Sequence, residues 1–100
     1  MAVKLLMTWD IRPDKEAEYF EFVMRELAPG LMRLGMQPTE AWYTAYGEGP
    51  QILTGAVAED LDVMRGALNS DEWRELKEKL LSLVDNYEQK VVPAATRFQL

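Results

Sequence analysis

Residues 69–76 read Asn-Ser-Asp-Glu-Trp-Arg-Glu-Leu, and this stretch divides the second helical segment of the chain into two parts. The residues before it, from Asp60 to about Leu68, have the composition of a short helix. Ser70 or Asn69 is a typical N-cap, and the acidic residues that follow the cap favour a new helix start. The sequence therefore predicts a short helix, a break, and then a second and longer helix.

The longer helix is predicted from the spacing of its apolar residues. They recur at intervals of three and four, as expected for one helix face: Trp73, Leu76, Leu80, Leu83 and Tyr87, widened by Leu81 and Val84. Pro93 is expected to end this helix. Residues 95–100 then alternate as a last strand, with Phe98 and Arg97 on opposite faces.

The N-terminal half begins with a predicted strand, because Val3, Leu5, Met7, Trp9 and Ile11 alternate with more polar residues. The odd-numbered residues are expected to face the helices. A helix is expected to start near Pro13 or Asp14 and to end at Gly35. Its apolar stripe is predicted to contain these residues: Phe20, Met24, Leu27, Leu31 and Leu34, widened by Tyr19 and Val23. The sequence Ala28-Pro29-Gly30 interrupts that stripe and predicts a kink or a break.

Residues 38–59 are expected to form a β-hairpin. The first arm runs from Pro38 to Tyr46, the turn is Gly47-Glu48-Gly49-Pro50, and the second arm covers residues 51–59. The resulting order is β-α-β-β-α-β over one domain, residues 1–100. This order predicts an α+β, ferredoxin-like fold, with both helices on one face of a four-stranded antiparallel sheet.

Such a sheet leaves its second face without a covering layer. On this face we expect Leu6, Thr8, aromatic residues of the hairpin and either Phe98 or Arg97. Since a large apolar face is seldom left in water, the pattern predicts a homodimer packed sheet to sheet as an α/β barrel.

Composition excludes several classes of function. The chain has 17 acidic and 11 basic residues, a formal charge of −6, and neither cysteine nor histidine. The negative charge argues against nucleic-acid or anionic membrane partners, and the missing side chains exclude disulfides and His- or Cys-ligated zinc or haem. Glu59, Asp60 and Asp62 are interpreted as helix N-terminal charge rather than a metal site, so no metal or other cofactor is indicated. With no targeting signal or membrane span, the sequence is interpreted as cytoplasmic.

The element order, together with residues 69–76 and the run Tyr-Glu-Gln-Lys-Val-Val at 87–92, resembles the dimeric α+β barrel superfamily. Within it, the chain is most similar to NIPSNAP-like and stress-responsive A/B-barrel domains, over essentially its whole length. The superfamily includes cofactor-free monooxygenases, haem-degrading enzymes, chlorite dismutases and lactone isomerases. The haem-using members bind iron through a histidine, which this chain lacks. Cofactor-free monooxygenases place Asn and Trp in the cleft between sheet and helices, and Asn69 and Trp73 lie in the comparable region.

The candidate ligand-binding residues are aromatic: Trp9, Trp42, Tyr43, Tyr46 and Trp73. Each has an alternative interpretation, since an aromatic residue at helical or strand spacing also serves core packing or dimer contact. Their functional interpretation is a flat organic ligand stacked between rings.

Without histidine, a general acid or base would have to be Asp10, Glu40, Tyr43 or Tyr46. Arg97 could bind a carboxylate or an enolate. The alternative interpretation of these residues is an ion-pair set at the dimer interface or a solvated strand edge.

Three functional hypotheses remain open. The first is a small-molecule-binding barrel of unassigned activity, and the second is a cofactor-independent monooxygenase or isomerase acting on an aromatic or polyketide-like substrate. The third is a structural or protein-interaction dimer that binds no ligand. A cavity with polar side chains would favour the first two hypotheses, and a buried acid or base aimed into it would favour the enzyme.

Overall fold

The computed structural model describes residues 1–39, 41–43 and 51–94, with only the backbone of Trp42. The strands are β1 (Val3–Ile11), β2 (Met36–Pro38), β3 (Trp42–Tyr43), β4 (Ile52–Ala58) and β5 (Val84–Pro93). The helices are α1 (Glu16–Phe22), α2 (Ala28–Arg33), α3 (Leu61–Leu68) and α4 (Asp71–Leu81), and a π-helical turn (Val23–Leu27) joins α1 to α2.

The strands form one antiparallel sheet in the order β2-β4-β1-β5, and β3 also pairs with β4 beyond the end of β2. The two central strands are thus the first strand and the second arm of the hairpin, as in the ferredoxin-like arrangement. The predicted fold class is confirmed, including the split of the second helical segment at Asn69 and Ser70.

The alternation of β1 positions the core. Leu5, Met7 and Trp9 are buried against the helices, whereas Leu6 and Thr8 are only partly buried on the other face. The helices complete the core with buried side chains: Tyr19, Phe22, Leu27, Leu31, Met64, Trp73, Leu76 and Leu80. The predicted orientation of the strand is confirmed.

The predicted apolar stripe of the first helix is wrong in its first half. Phe20 is 53% exposed and Met24 is 71% exposed, whereas Tyr19 is buried as predicted and Phe22, which the stripe did not include, is buried as well. The physical reason is the π-helical turn, which adds a residue to the helical repeat and changes which residues face the sheet. This turn immediately precedes Ala28 and Pro29, so it replaces the predicted kink and accommodates a proline that has no N–H to donate.

The prediction that the last helix continues to Pro93 is also wrong. Helix α4 ends at Leu81, and β5 pairs with β1 along nearly its whole length. Leu83, Val84 and Tyr87 fit a helical repeat, but they are equally compatible with a strand, and pairing with the free edge of β1 determines the outcome. The predicted strand at 95–100 lies outside the described residues, as does the part of the first hairpin arm at 44–46.

Gly35 carries a prediction about stability. Its φ angle is +86°, and an added Cβ would lie 3.0 Å from Cγ1 of Val63. We expect Gly35→Ala to lower the free energy of unfolding by about 1–2 kcal/mol, because a side chain is strained in this left-handed conformation. Gly66→Ala in α3 is the control, since a Cβ at this position would meet nothing within 4 Å beyond its own stretch of helix and alanine favours the helix. Equal effects of the two changes in urea unfolding would contradict the prediction.

Candidate functional site

A surface groove of about 270 Å³ lies at the break between α3 and α4. Its walls come from the end of α3, the two-residue break and the first half of α4: Leu68, Asn69, Ser70, Trp73, Arg74 and Lys77. The groove therefore lies at the sequence motif that divides the second helical segment.

The break is held by the cap of α4. The Ser70 hydroxyl donates to the carbonyl of Ala67 at 2.6 Å and accepts from the backbone N–H of Trp73 at 3.1 Å. This pair of bonds fixes the direction in which α4 leaves α3. Trp73 is 3% exposed and packs in the core, so it contributes little accessible surface to the groove. Asn69 is exposed and presents its amide beside it.

Two positive charges lie along the same wall. The Arg74 guanidinium is 2.7 Å from the Asp71 carboxylate on the preceding turn. The Lys77 ammonium lies 5.2 Å from the centroid of the Tyr87 ring, a cation–π distance. Lys77 thus connects the groove to β5.

Trp9, an expected ligand-binding residue, lies instead at the centre of an aromatic cluster in the core. It is 1% exposed, its ring stacks on Tyr87 with centroids 6.0 Å apart, and its indole N–H donates to the Tyr19 hydroxyl at 2.9 Å. Burial raises the pKa of Tyr19. The hydrogen bond from Trp9 lowers this pKa, but by less than burial raises it. Burial also raises the pKa of Tyr87 well above its ordinary value. Both phenols are therefore protonated at neutral pH.

Asp10 and Tyr43, two of the candidate acid–base residues, meet at Gln51. The Asp10 carboxylate accepts from the backbone N–H of Gln51 at 2.7 Å, and the Gln51 amide donates to the Tyr43 hydroxyl at 3.3 Å. The second oxygen of Asp10 accepts from the Asn86 amide at 2.9 Å. Asn86 has a φ of +58° at a bulge, where β5 has one residue more than the paired segment of β1. This cluster ties three strands together at the end of β1.

The hydrogen bonds from Asn86 and Gln51 hold the pKa of Asp10 below its ordinary value. A carboxylate with a lowered pKa is a weak base, so the geometry favours a structural role for Asp10 over proton transfer. Tyr43 is 61% exposed at the sheet edge, away from the groove-lining residues.

The lowered pKa of Asp10 predicts a pH dependence. Its contribution to stability is present above about pH 4 and is lost as the pH falls through the lower pKa of the folded state. We expect Asp10→Asn to be less stable than wild type at pH 7 by less than about 1 kcal/mol, because the carboxylate is close to solvent. The difference should shrink between about pH 4 and pH 2 in urea unfolding. Glu75→Gln, which changes an exposed side chain on α4, is the control. If the stability difference between wild type and Asp10→Asn grows as the pH falls, the lowered pKa of Asp10 is contradicted.

The remaining site predictions fall outside the described residues. These are the side chain of Trp42 and the residues Tyr46, Arg97 and Glu40. Among the expected ligand-binding side chains that are described, the structure places Trp73 at the groove and neither Trp9 nor Tyr43 there.

Sequence reasoning missed Lys77, Arg74, Gln51 and Asn86. Lys77 could have been found, because it follows Trp73 by four residues and so lies on the same helix face. Gln51 and Asn86 carry no such signal, since their roles depend on a strand register and a bulge.

The carboxylates near α3 behave as predicted from helix capping. Asp60 is the N-cap and accepts from the backbone N–H of Val63 at 2.9 Å. Over residues 1–39, 41–43 and 51–94, no group of three potential metal-ligating side chains occurs. In the same part of the chain, none of the helices has the length and apolar character needed to span a membrane.

No protein-family model matches this sequence, and no curated protein matches it. Solved structures do. One is a variant of SnoaB, a cofactor-independent oxygenase from Streptomyces nogalater; it is 18% identical, with a TM-score of 0.71 over 97% of this chain and 96% of that chain. A NIPSNAP family protein from Agrobacterium tumefaciens is 21% identical, with a TM-score of 0.67 over 99% and 100% of the two chains.

An uncharacterised NIPSNAP-like domain protein from Burkholderia xenovorans is 22% identical, with a TM-score of 0.65 over 99% of this chain and 90% of that one. These similarities show that the chain has the ferredoxin-like fold of NIPSNAP-like proteins and SnoaB. The predicted resemblance is therefore confirmed at the level of fold, and a shared fold does not by itself assign an activity.

Proposed function

We propose that this protein is a small-molecule-binding, dimeric α/β barrel formed by a single domain, and that the groove at the α3–α4 break is its binding site. The observation that carries the proposal is the composition of one groove wall. The groove is lined by Trp73, by the neutral polar residues Asn69 and Ser70, and by two basic residues. Polar groups beside an aromatic residue are able to fix the orientation of a small organic ligand.

The pKa shifts of the ionisable side chains favour ligand binding without catalysis. The pKa of Asp10 is lowered, and the pKa values of Tyr19 and Tyr87 are raised. Each shift moves the group away from the neutral range in which a general acid or base works best. Neither Asp10, Tyr19 nor Tyr87 lines the groove.

Titration of the 15N-labelled protein with single-ring aromatic fragments tests the proposal. We expect the amide signals of Asn69 and Ser70 and the indole N–H signal of Trp73 to shift together, and the shifts to weaken in Asn69→Ala. This variant keeps the fold because the Asn69 side chain is exposed. Asp62→Asn, which changes an exposed side chain in the first turn of α3, is the control. Absence of shifts at the groove with every fragment would overturn the proposal.

A second candidate is cofactor-independent oxygenation of an aromatic substrate. It is favoured by the joint presence of Asn69 and Trp73 at one groove, and SnoaB, which shares the fold, is a cofactor-independent oxygenase. Oxygen uptake with anthrone is the direct test, because the acidic CH₂ group of anthrone gives a stabilised carbanion that reacts with O₂. Conversion of anthrone and O₂ to anthraquinone and water consumes one O₂ per substrate. Uptake above the buffer rate that is lost in Asn69→Ala would support this candidate, and uptake equal to the buffer rate would remove it for this substrate class.

The proposed dimer rests on the sheet face opposite the helices. Leu6, Leu53, Val57 and Val92 are partly buried there without a covering layer among the described residues. Packing this face on its equivalent in a second copy would remove the apolar surface from water under two-fold symmetry. A molar mass of about 23 kDa, twice the 11.5 kDa chain, is expected in light scattering. A mass of one chain would contradict the dimer and favour a monomeric binding protein.

A further inference from the structure

The two charged side chains that line the groove, Arg74 and Lys77, are both basic, although the chain carries a formal charge of −6. In an acidic protein, such a local reversal of charge raises the concentration of anions at the site. Because Asp71 offsets the charge of Arg74, the uncompensated positive charge of the groove is that of Lys77.

Lys77 differs from most other cations on this side of the molecule. Arg74 pairs with Asp71, Arg33 with Glu72, and Lys79 with Glu26 across the helix layer. Within residues 1–39, 41–43 and 51–94, no carboxylate lies within 4 Å of the Lys77 ammonium, which has only the face of the Tyr87 ring. Lys77 is also partly buried as a residue.

An ammonium without a carboxylate partner is stabilised by an anion, because a charge-assisted hydrogen bond is stronger than one between neutral groups. The groove is also lined by Trp73, which lies four residues before Lys77 on the same helix face. A ligand that satisfies both features carries a ring and a negative group.

We propose that the groove selects a small aromatic monoanion, with its carboxylate or enolate oxygen on Lys77 and its ring against Trp73. The inference rests on the proposed function, since it specifies the ligand class of the same groove. A volume of about 270 Å³ fits a single substituted ring. Asn69, which is exposed, then lies beside the ring and is available to a second polar substituent.

Benzoate and benzamide test the inference because they have nearly the same shape and differ in charge. In titrations followed by the groove signals of the 15N-labelled protein, we expect benzoate to bind about tenfold more tightly than benzamide, a difference of about 1.4 kcal/mol. Lys77→Gln is expected to remove this preference by weakening benzoate alone. Arg65→Gln is the matched control, because it removes one positive charge from an exposed position on α3 outside the groove.

The outcomes separate the two proposals. If neither compound shifts the groove signals, the proposed function fails together with the inference. If both bind with equal affinity, the groove is a binding site and the anion selectivity is wrong. If the preference for benzoate persists in Lys77→Gln, or falls equally in Lys77→Gln and Arg65→Gln, it does not arise at Lys77 and the role of Lys77 is overturned.

Discussion

Replacing Trp9 with alanine is expected to lower the free energy of unfolding by about 3–5 kcal/mol, the range for removing a large aromatic side chain from a core. Trp9 is fully surrounded: it stacks on Tyr87, meets Tyr19 edge to face at 6.2 Å, and donates its N–H to the Tyr19 hydroxyl. Its loss leaves a cavity between β1 and the helices and an unsatisfied phenol. Urea unfolding followed by circular dichroism measures the effect.

The variant Trp9→Phe separates packing from hydrogen bonding. It keeps much of the ring volume but removes the N–H, so we expect a smaller loss, about 1–3 kcal/mol, from the unpaired Tyr19 hydroxyl and incomplete packing. A Trp9→Ala protein that unfolds like wild type but no longer binds aromatic ligands would contradict the core assignment. It would restore the sequence-based interpretation of Trp9 as a ligand-binding residue.

The elements that could be predicted from sequence are those set by local signals. The alternation of Val3–Ile11 gives β1, and the capping side chains of Asp60 and Ser70 give the starts of α3 and α4. In each case residues close in sequence determine the structure, so no knowledge of distant contacts is needed.

The errors occur where distant contacts decide between two local patterns. The spacing of Leu83, Val84 and Tyr87 is compatible with both a helix and a strand, and the free edge of β1 selects the strand. A single π-helical turn before Pro29 changes the buried face of the first helix, and no local signal indicates on which side of the proline the extra residue lies.

The candidate site is predictable only in part for the same reason. Asn69 and Trp73 can be placed together because they flank one helix start. The interpretation of Trp9 as a ligand-binding residue cannot anticipate Tyr87, because the sequence pattern assigns Tyr87 to a helix rather than to β5. Pairing of β5 with β1 brings Tyr87 onto Trp9, and the ring expected to face a ligand packs against a second ring instead.

Leu6→Glu is expected to convert the proposed dimer into a monomer. Leu6 lies on the uncovered sheet face, paired across the sheet with Gly55 on one side and Lys90 on the other. Two-fold symmetry would place one new carboxylate from each copy in the interface, and desolvating a buried carboxylate costs more than its attraction to the cross-strand Lys90 gains. We therefore expect the dissociation constant to rise at least about 100-fold, as measured by analytical ultracentrifugation.

Phe20→Glu is the matched control for Leu6→Glu. Phe20 is also an apolar residue in contact with solvent, but it lies on α1, in the helix layer on the opposite side of the sheet. The same charge introduced there should leave the dimer intact, because the helices form the outer surface of the proposed barrel. Circular dichroism verifies that both variants fold. Dissociation by Phe20→Glu with no effect of Leu6→Glu would move the interface from the sheet to the helices, and the exposed pair Phe20 and Met24 would become its centre.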